Sequence, residues 1–384
     1  MTFPIYVFTT LFYQHYSEID YILPFVIWYT FQRSGIFFIS CFGIIRNPYI
    51  LCIIELLIAS IGCLCLIIGR ESLVWWNIGA FFIGLGISSY SSLFRTIRDE
   101  MQDKKLVNFN GSLISGYIVY LATLLVILFF GGDNKTSLIC LSFLIFSSLI
   151  FVVLLWGKNP YRKTKLYEKT KLHMDAFLST LSILIFTFFV RFYRQTANIW
   201  IVAFIPLTFF IMLFLGNLFK ERPYRAHSLR SFWYGATINF IYVFTLFYYT
   251  SVGKINKLYR VYFLIGLGGA LSLVTTPLFK KFISAERFEL FCMITSIITS
   301  CIMPISYMYE AGATLTSMFL SMGTAETFKI FLQDNRFEKE ERRLIYNKFY
   351  GLGCVTEQTL MVLVILIFSS IIKKMPHRLW QDML

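Results

Sequence analysis

Charge is scarce in this sequence. Only 15% of its 384 residues are Asp, Glu, Lys or Arg, where a soluble globular chain carries about 25%. Histidine is scarcer still, with four residues (His15, His173, His227 and His377) too scattered to build a metal cluster. Eight cysteines occur without a single CxxC pair, and most lie inside apolar runs. Neither a zinc site nor a disulfide framework is indicated by that pattern. The Gly-x-x-x-x-Gly-Lys-Ser/Thr phosphate loop is absent, so the chain has no ATP-driven motor of its own. No HExxH, no DxD and no paired glutamates with a downstream intramembrane histidine are found. These absences argue against an intramembrane protease, acyltransferase or glycosyl transferase. No enzymatic activity, metal or cofactor is expected. The N-terminal apolar stretch lacks a basic flank and a small-residue cleavage site, so no cleavable signal peptide is expected.

What is abundant is apolar surface. Hydrophobic residues make up 57% of the chain and fall in blocks of about 20 residues, the length that crosses about 30 Å of hydrocarbon. Thirteen candidate spans result, at 3–16, 22–44, 49–69, 75–94, 109–130, 136–157, 172–190, 197–219, 232–252, 258–279, 287–307, 312–332 and 350–372. The reading is an all-α integral membrane protein of about 12–13 transmembrane helices. Its net charge of +14 sits mostly in short loops, as expected of basic residues that anchor cytoplasmic ends rather than bind nucleic acid. Loops on one side carry 23 Lys and Arg against 10 on the other, and the rich side is expected to be cytoplasmic. The bilayer is the first partner this implies. Phe, Ile, Lys and Tyr usage points to a bacterial cell membrane. The 42 Phe and 23 Tyr read mostly as lipid-facing bulk and interface belt.

The two ends of the chain repeat one another. Ile5-Tyr6-Val7-Phe8-Thr9 returns as Ile241-Tyr242-Val243-Phe244-Thr245, and the stretch from Gly86 to Leu93-Phe94 returns from Gly323 to Ile330-Phe331. Asn110 and Gly116 have counterparts in Asn347 and Gly353, and Leu125 to Leu128 in Leu363 to Leu366, at offsets between 235 and 238 residues. An even number of spans separates counterparts, so the copies point the same way, related by an axis along the membrane normal. The expected divisions are 1–157 for a first bundle of six spans, the first one short; 158–230 for a basic linker with two extra spans; and 231–384 for a second bundle of five.

Parallel half-repeats joined by a basic loop resemble the major facilitator superfamily of secondary transporters. Gly84-Leu85-Gly86 leading to Leu93-Phe94-Arg95 is similar to that family's fourth helix, and Gly43 to Pro48 sits where its loop signature lies. Here the loop lacks the acidic residue and the full basic cluster on which the family's gating latch rests. The two spans between the repeats look like those of fourteen-helix members. The resemblance implies alternating access and a small organic or lipophilic solute, more simply exported than modified. The rival reading is a non-transporting membrane scaffold or sensor derived from a transporter.

Ionisable residues at membrane depth are expensive and need a partner, water or a function. Arg33, with Gln32 beside it, and Glu357, with Gln358 beside it, stand inside their spans. The resemblance would place their two helices side by side on a central cavity, which makes an Arg33–Glu357 pair an expectation. Glu326 is a further cavity candidate, with Lys329 three residues on as an alternative partner. Glu55 is expected to be structural. The repeated glycines, among them Gly84, Gly86, Gly323 and Gly353, suit close helix packing. Glu338 to Arg343 reads as a solvated mixed-charge turn, where the cytoplasmic surface offers a candidate docking site for a protein partner.

Overall fold

A computed structural model describes residues 3–14, 21, 23–69, 72–107, 134–168, 225–251, 254–303, 305, 307–333 and 339–374, with parts of 118–126 and 173–185. The first helix group comprises α1 (Phe3–Gln14), α2 (Leu23–Ser40), α3 (Pro48–Ile68), α4 (Leu73–Gly86), α5 (Tyr90–Asp103) and α6 (Asn134–Leu154). The second comprises α7 (Arg225–Ser251), α8 (Ile255–Phe282), α9 (Ala285–Ser300), α10 (Tyr309–Gln333) and α11 (Lys339–Lys374). Among the described residues the only β pairing is an isolated antiparallel bridge between Ile45 and Tyr167. The span expected at 197–219 lies outside the described residues, and those at 109–130 and 172–190 are described in part.

Local chemistry sets the helix ends. Asn47 caps α3, its side chain accepting from Ile50 N at 3.1 Å, and Pro48 opens the helix where its missing N–H costs nothing. Gly43 turns the chain before it with φ of 117°, a left-handed conformation that glycine adopts freely. Glu340 and Glu341 fall in the first turn of α11, where negative charge favours the helix dipole.

Outward faces are greasy. Leu57, Ile61, Leu64 and Ile68 form an exposed stripe on α3, as do Ile139, Phe143, Ile150 and Leu154 on α6 and Leu271, Val274, Leu278 and Phe282 on α8. Large exposed apolar stripes recurring on helix after helix are what a lipid solvent demands. By length and apolar composition, four described helices qualify as membrane spans, Pro48–Ile68, Leu73–Asp103, Lys135–Lys158 and Lys257–Phe282. The aromatic residues are less lipid-facing than expected. Phe8, Phe37, Trp28, Trp76, Tyr49, Tyr234 and Tyr262 are almost wholly buried, and Phe8 stacks on Trp28 at 5.9 Å and meets Trp76 edge-on at 6.2 Å. Flat rings fill the gaps between helices that small residues leave.

The groups share one packing pattern: α2 and α3 both pack on α4, and α8 and α9 both pack on α10. This is the fold of two like-built helix bundles. Within the second group, α7 and α11 meet backbone to backbone. A Cβ on Gly235 would stand 2.0 Å from Tyr350 O, and one on Gly353 1.9 Å from Phe232 O.

The fourth expected span, 75–94, falls inside the qualifying span Leu73–Asp103, which carries a turn at 87–89 between α4 and α5. One expectation needs correction. Glu338 to Arg343 is not a solvated turn: the described part, from Lys339, is already α11, and Arg343 is 4% exposed. Lys339 and Arg343, four residues apart, share one face of this helix, and of the five charged residues from Lys339 to Arg343 only Arg343 is buried.

Candidate functional site

One stripe of α11 carries many of the contacts between the groups. Lys339, Arg343, Asn347, Tyr350, Cys354 and Glu357 recur at steps of four, four, three, four and three residues, which keeps them on one helix face. The lower part of the stripe grips α5. Lys339 Nζ reaches Glu100 and Asp103 at 2.7 Å each, Arg343 pairs with Asp99, and Asn347 donates to Ser92 Oγ. Arg343 also lies over the Phe328 ring at 4.8 Å. Burial lowers the Lys339 pKa, but hydrogen bonds and charge from Asp103 and Glu100 outweigh it and hold the ammonium above its usual range. This clamp lies on the lysine- and arginine-rich face.

Nearby on the same face, the loop after α2 is sewn to the linker. Arg46 N and Asn47 N both donate to Leu166 O, Glu168 N donates to Ile44 O, and the Asn47 amide donates to Tyr161 O and Thr164 O at 3.0 Å each. Arg46 pairs with Glu168 at 2.5 Å. The loop that lacks the family's acidic signature is thus held by residues of 161–168.

The upper stripe meets α2 and α7. Arg33 Cζ lies 5.3 Å from the Tyr29 ring centre and 5.9 Å from that of Tyr350. Tyr29 donates to Asn239 Oδ1 at 2.7 Å, and the Asn239 amide donates to Glu357 Oε2 at 2.5 Å. Cys354 Sγ donates to Gly235 O at 3.2 Å. Three helices, α2, α7 and α11, are therefore joined by a chain running Arg33, Tyr29, Asn239, Glu357. Arg33 Nε and Glu357 Oε1 are buried without a hydrogen-bond partner. The expected Arg33–Glu357 ion pair is not formed; Tyr29 and Asn239 stand between the two charges. Such a group costs about 2.5–3.5 kcal/mol to insert at the centre of a membrane helix, and cation–π contacts return only part of that.

The other candidate residues fall elsewhere. Gln32 is buried at 4% exposure on the side of α2 that meets α4, where Gly84 packs against the backbone of Trp28 and Gln32. Gln358 lies on α11, with its side chain outside the described residues. Glu326 pairs with Lys280 at 2.6 Å and Lys329 at 2.9 Å and is not part of the Arg33 chain. Glu55 caps the α4–α5 turn, accepting from Ser89 Oγ at 2.5 Å, Ser89 N at 3.3 Å and Ser88 Oγ at 3.4 Å. Tyr29, Asn239 and Tyr350 were not apparent from sequence, since a neutral polar residue within a span gives no sign of its partner. The helical spacing of polar positions along α11 was the available signal. All eight cysteines are free, and no metal-binding group of side chains occurs among the described residues.

No family model and no curated protein matches the chain by sequence. By structure it is similar to an autoinhibited POT family peptide transporter, with TM-score 0.58 and 14% identity over 97% of this chain and 88% of that one. It is similar to the nucleoside transporter NupG, with TM-score 0.52 and 12% identity over 95% and 90%. A proton-dependent oligopeptide (POT) family transporter gives TM-score 0.52 and 15% identity over 99% and 91%. These are transporters of the major facilitator fold, and the chain has that fold. It is a multi-pass membrane protein.

Proposed function

We propose that this chain is a secondary transporter that works by alternating access and moves a small organic or lipophilic solute, in the export direction, across a bacterial cell membrane. Residues 1–157 and 231–384 are the two bundles that rock against each other, with 158–230 as linker and extra spans. The observation that carries the reading is the buried chain Arg33–Tyr29–Asn239–Glu357, which joins a helix of the first group to two of the second. Charged groups with an unsatisfied atom each, Arg33 Nε and Glu357 Oε1, at the contact of two bundles suit a site that solute or proton completes during a cycle.

The α5–α11 clamp supports the same reading, since charged contacts clustered between one pair of helices are what a closing step makes and an opening step breaks. The test is counterflow in proteoliposomes, beginning with labelled short peptides and nucleosides, the classes named for proteins of similar fold. Accumulation against a preloaded unlabelled solute, lost in Glu357→Gln, is the expected result. A scaffold would show no counterflow with any solute, and its removal would instead disperse a neighbouring complex.

A further inference from the structure

We infer that Arg33 binds the carboxylate of a small organic solute through the guanidinium that lies between Tyr29 and Tyr350 and whose Nε–H has no partner. The inference rests on the carrier reading of this site and names the substrate class.

Arg33 differs from several basic residues on α7, α8, α10 and α11 that pair with carboxylates. Arg343 reaches Asp99, Lys339 reaches Glu100 and Asp103, Lys280 and Lys329 share Glu326, and Arg230 meets Glu289 at 2.5 Å. Arg33 has aromatic rings instead of a carboxylate: Tyr29 one turn back on its own helix, and Tyr350 across the group boundary. The nearest acid along the stripe, Glu357, is turned to Asn239. The Tyr29 side chain also interacts with the guanidinium as a hydrogen-bond partner, while Nε–H is left for an anion, and a guanidinium fork matches a carboxylate in two parallel hydrogen bonds. Arg33 Nε–H, one arm of the fork, is the buried donor without a partner. A lysine there would place a point charge and lose the fork. Gly351 packs on α2 beside Arg33 O, 3.9 Å from where its Cβ would lie. The site is therefore framed by both helix groups, and a solute carboxylate would tie them together.

The experiment uses the full chain in phosphatidylcholine nanodiscs, with thermal unfolding followed by a thiol-reactive dye that reads the buried cysteines. Probes are acetate, pyruvate and benzoate, each against its neutral amide. The expected result is a melting temperature that rises with carboxylate concentration and not with amide. Arg33→Gln should abolish the rise, and Arg33→Lys should raise the half-saturating concentration about tenfold, keeping the charge without the fork. If Arg33→Gln does not fold, Tyr350→Leu, which removes one flanking ring, should weaken the same response. Equal effects of acids and amides, no response in the unmodified chain, or an undiminished response in Arg33→Gln would each overturn the inference. So would stabilisation by phosphatidic acid in the disc with none by soluble carboxylates, since the anion would then be a lipid headgroup. Counterflow separates the two readings. Transport of neutral solutes without carboxylate binding sinks only this inference, while carboxylate binding with no transport of any solute sinks the carrier and leaves the site.

Discussion

Glu289 does in the second helix group what Glu55 does in the first. Glu55 on α3 accepts from Ser89 at the start of α5, and Glu289 on α9 accepts from the Thr327 hydroxyl on α10. Their donors are 238 residues apart and the acids 234, close to the offset of the sequence repeat. Each carboxylate fastens a third helix to a fourth. The second copy adds a cation, Arg230, on Glu289.

The two should respond differently to substitution. Glu55→Ala leaves the Ser89 amide and hydroxyl without their acceptor, and an expected loss of about 1–3 kcal/mol follows from a buried donor left unsatisfied. Glu55→Gln keeps an acceptor oxygen and should cost less. Melting curves of the two variants should rank in that order; a Gln variant as unstable as the Ala variant would contradict it.

At the clamp, Asp99→Ala strands the buried Arg343 cation. Breaking a buried pair from one side costs about 3–5 kcal/mol, and the Phe328 ring keeps this loss toward the lower end. Exchanging the charges, Asp99→Arg with Arg343→Asp, should recover part of the stability. An additive double variant would mean that the two residues are not coupled.

The clamp should also trap a conformation. In a cysteine-free background, Ser92→Cys with Asn347→Cys is expected to cross-link on oxidation, because those side chains touch. Counterflow should stop on oxidation and return on reduction. Unimpaired transport in the cross-linked protein would show that α5 and α11 do not separate during the cycle.

Glycine positions offer a graded comparison. Gly353→Ala should be among the most damaging small substitutions, because its Cβ would sit 1.9 Å from the Phe232 carbonyl oxygen. Gly269→Ala, where the nearest atom lies at 3.5 Å, should be neutral or slightly stabilising, since alanine favours helix by up to about 1 kcal/mol. Expression level and melting temperature of the pair decide the point.

Much of this architecture was legible because lipid is a demanding solvent. Blocks such as Pro48–Ile68 have to span, and Gly86 and Gly323 both sit at close helix contacts, the first against the backbone of α3 and the second against Tyr234 on α7. Arg33 and Glu357 were conspicuous for the same reason: a charge inside an apolar run announces itself. Their linkage was not legible. Tyr29 and Asn239 are ordinary inside a span until another helix is laid against them. The α4–α5 turn was hidden too, because Glu55 supplies from a different helix the acceptor that a break in the chain requires. Lys339 and Arg343 looked like surface because their carboxylate partners lie about 240 residues away in the chain.

Lys339 and Glu357 are eighteen residues apart on one uninterrupted helix, about 27 Å at 1.5 Å per residue. Such a rod transmits tilt as a lever does. If the foot of α11 swings away from α5, the same rotation must displace Tyr350 from Arg33 and Glu357 from its seat, so neither end can be disturbed without the other registering it.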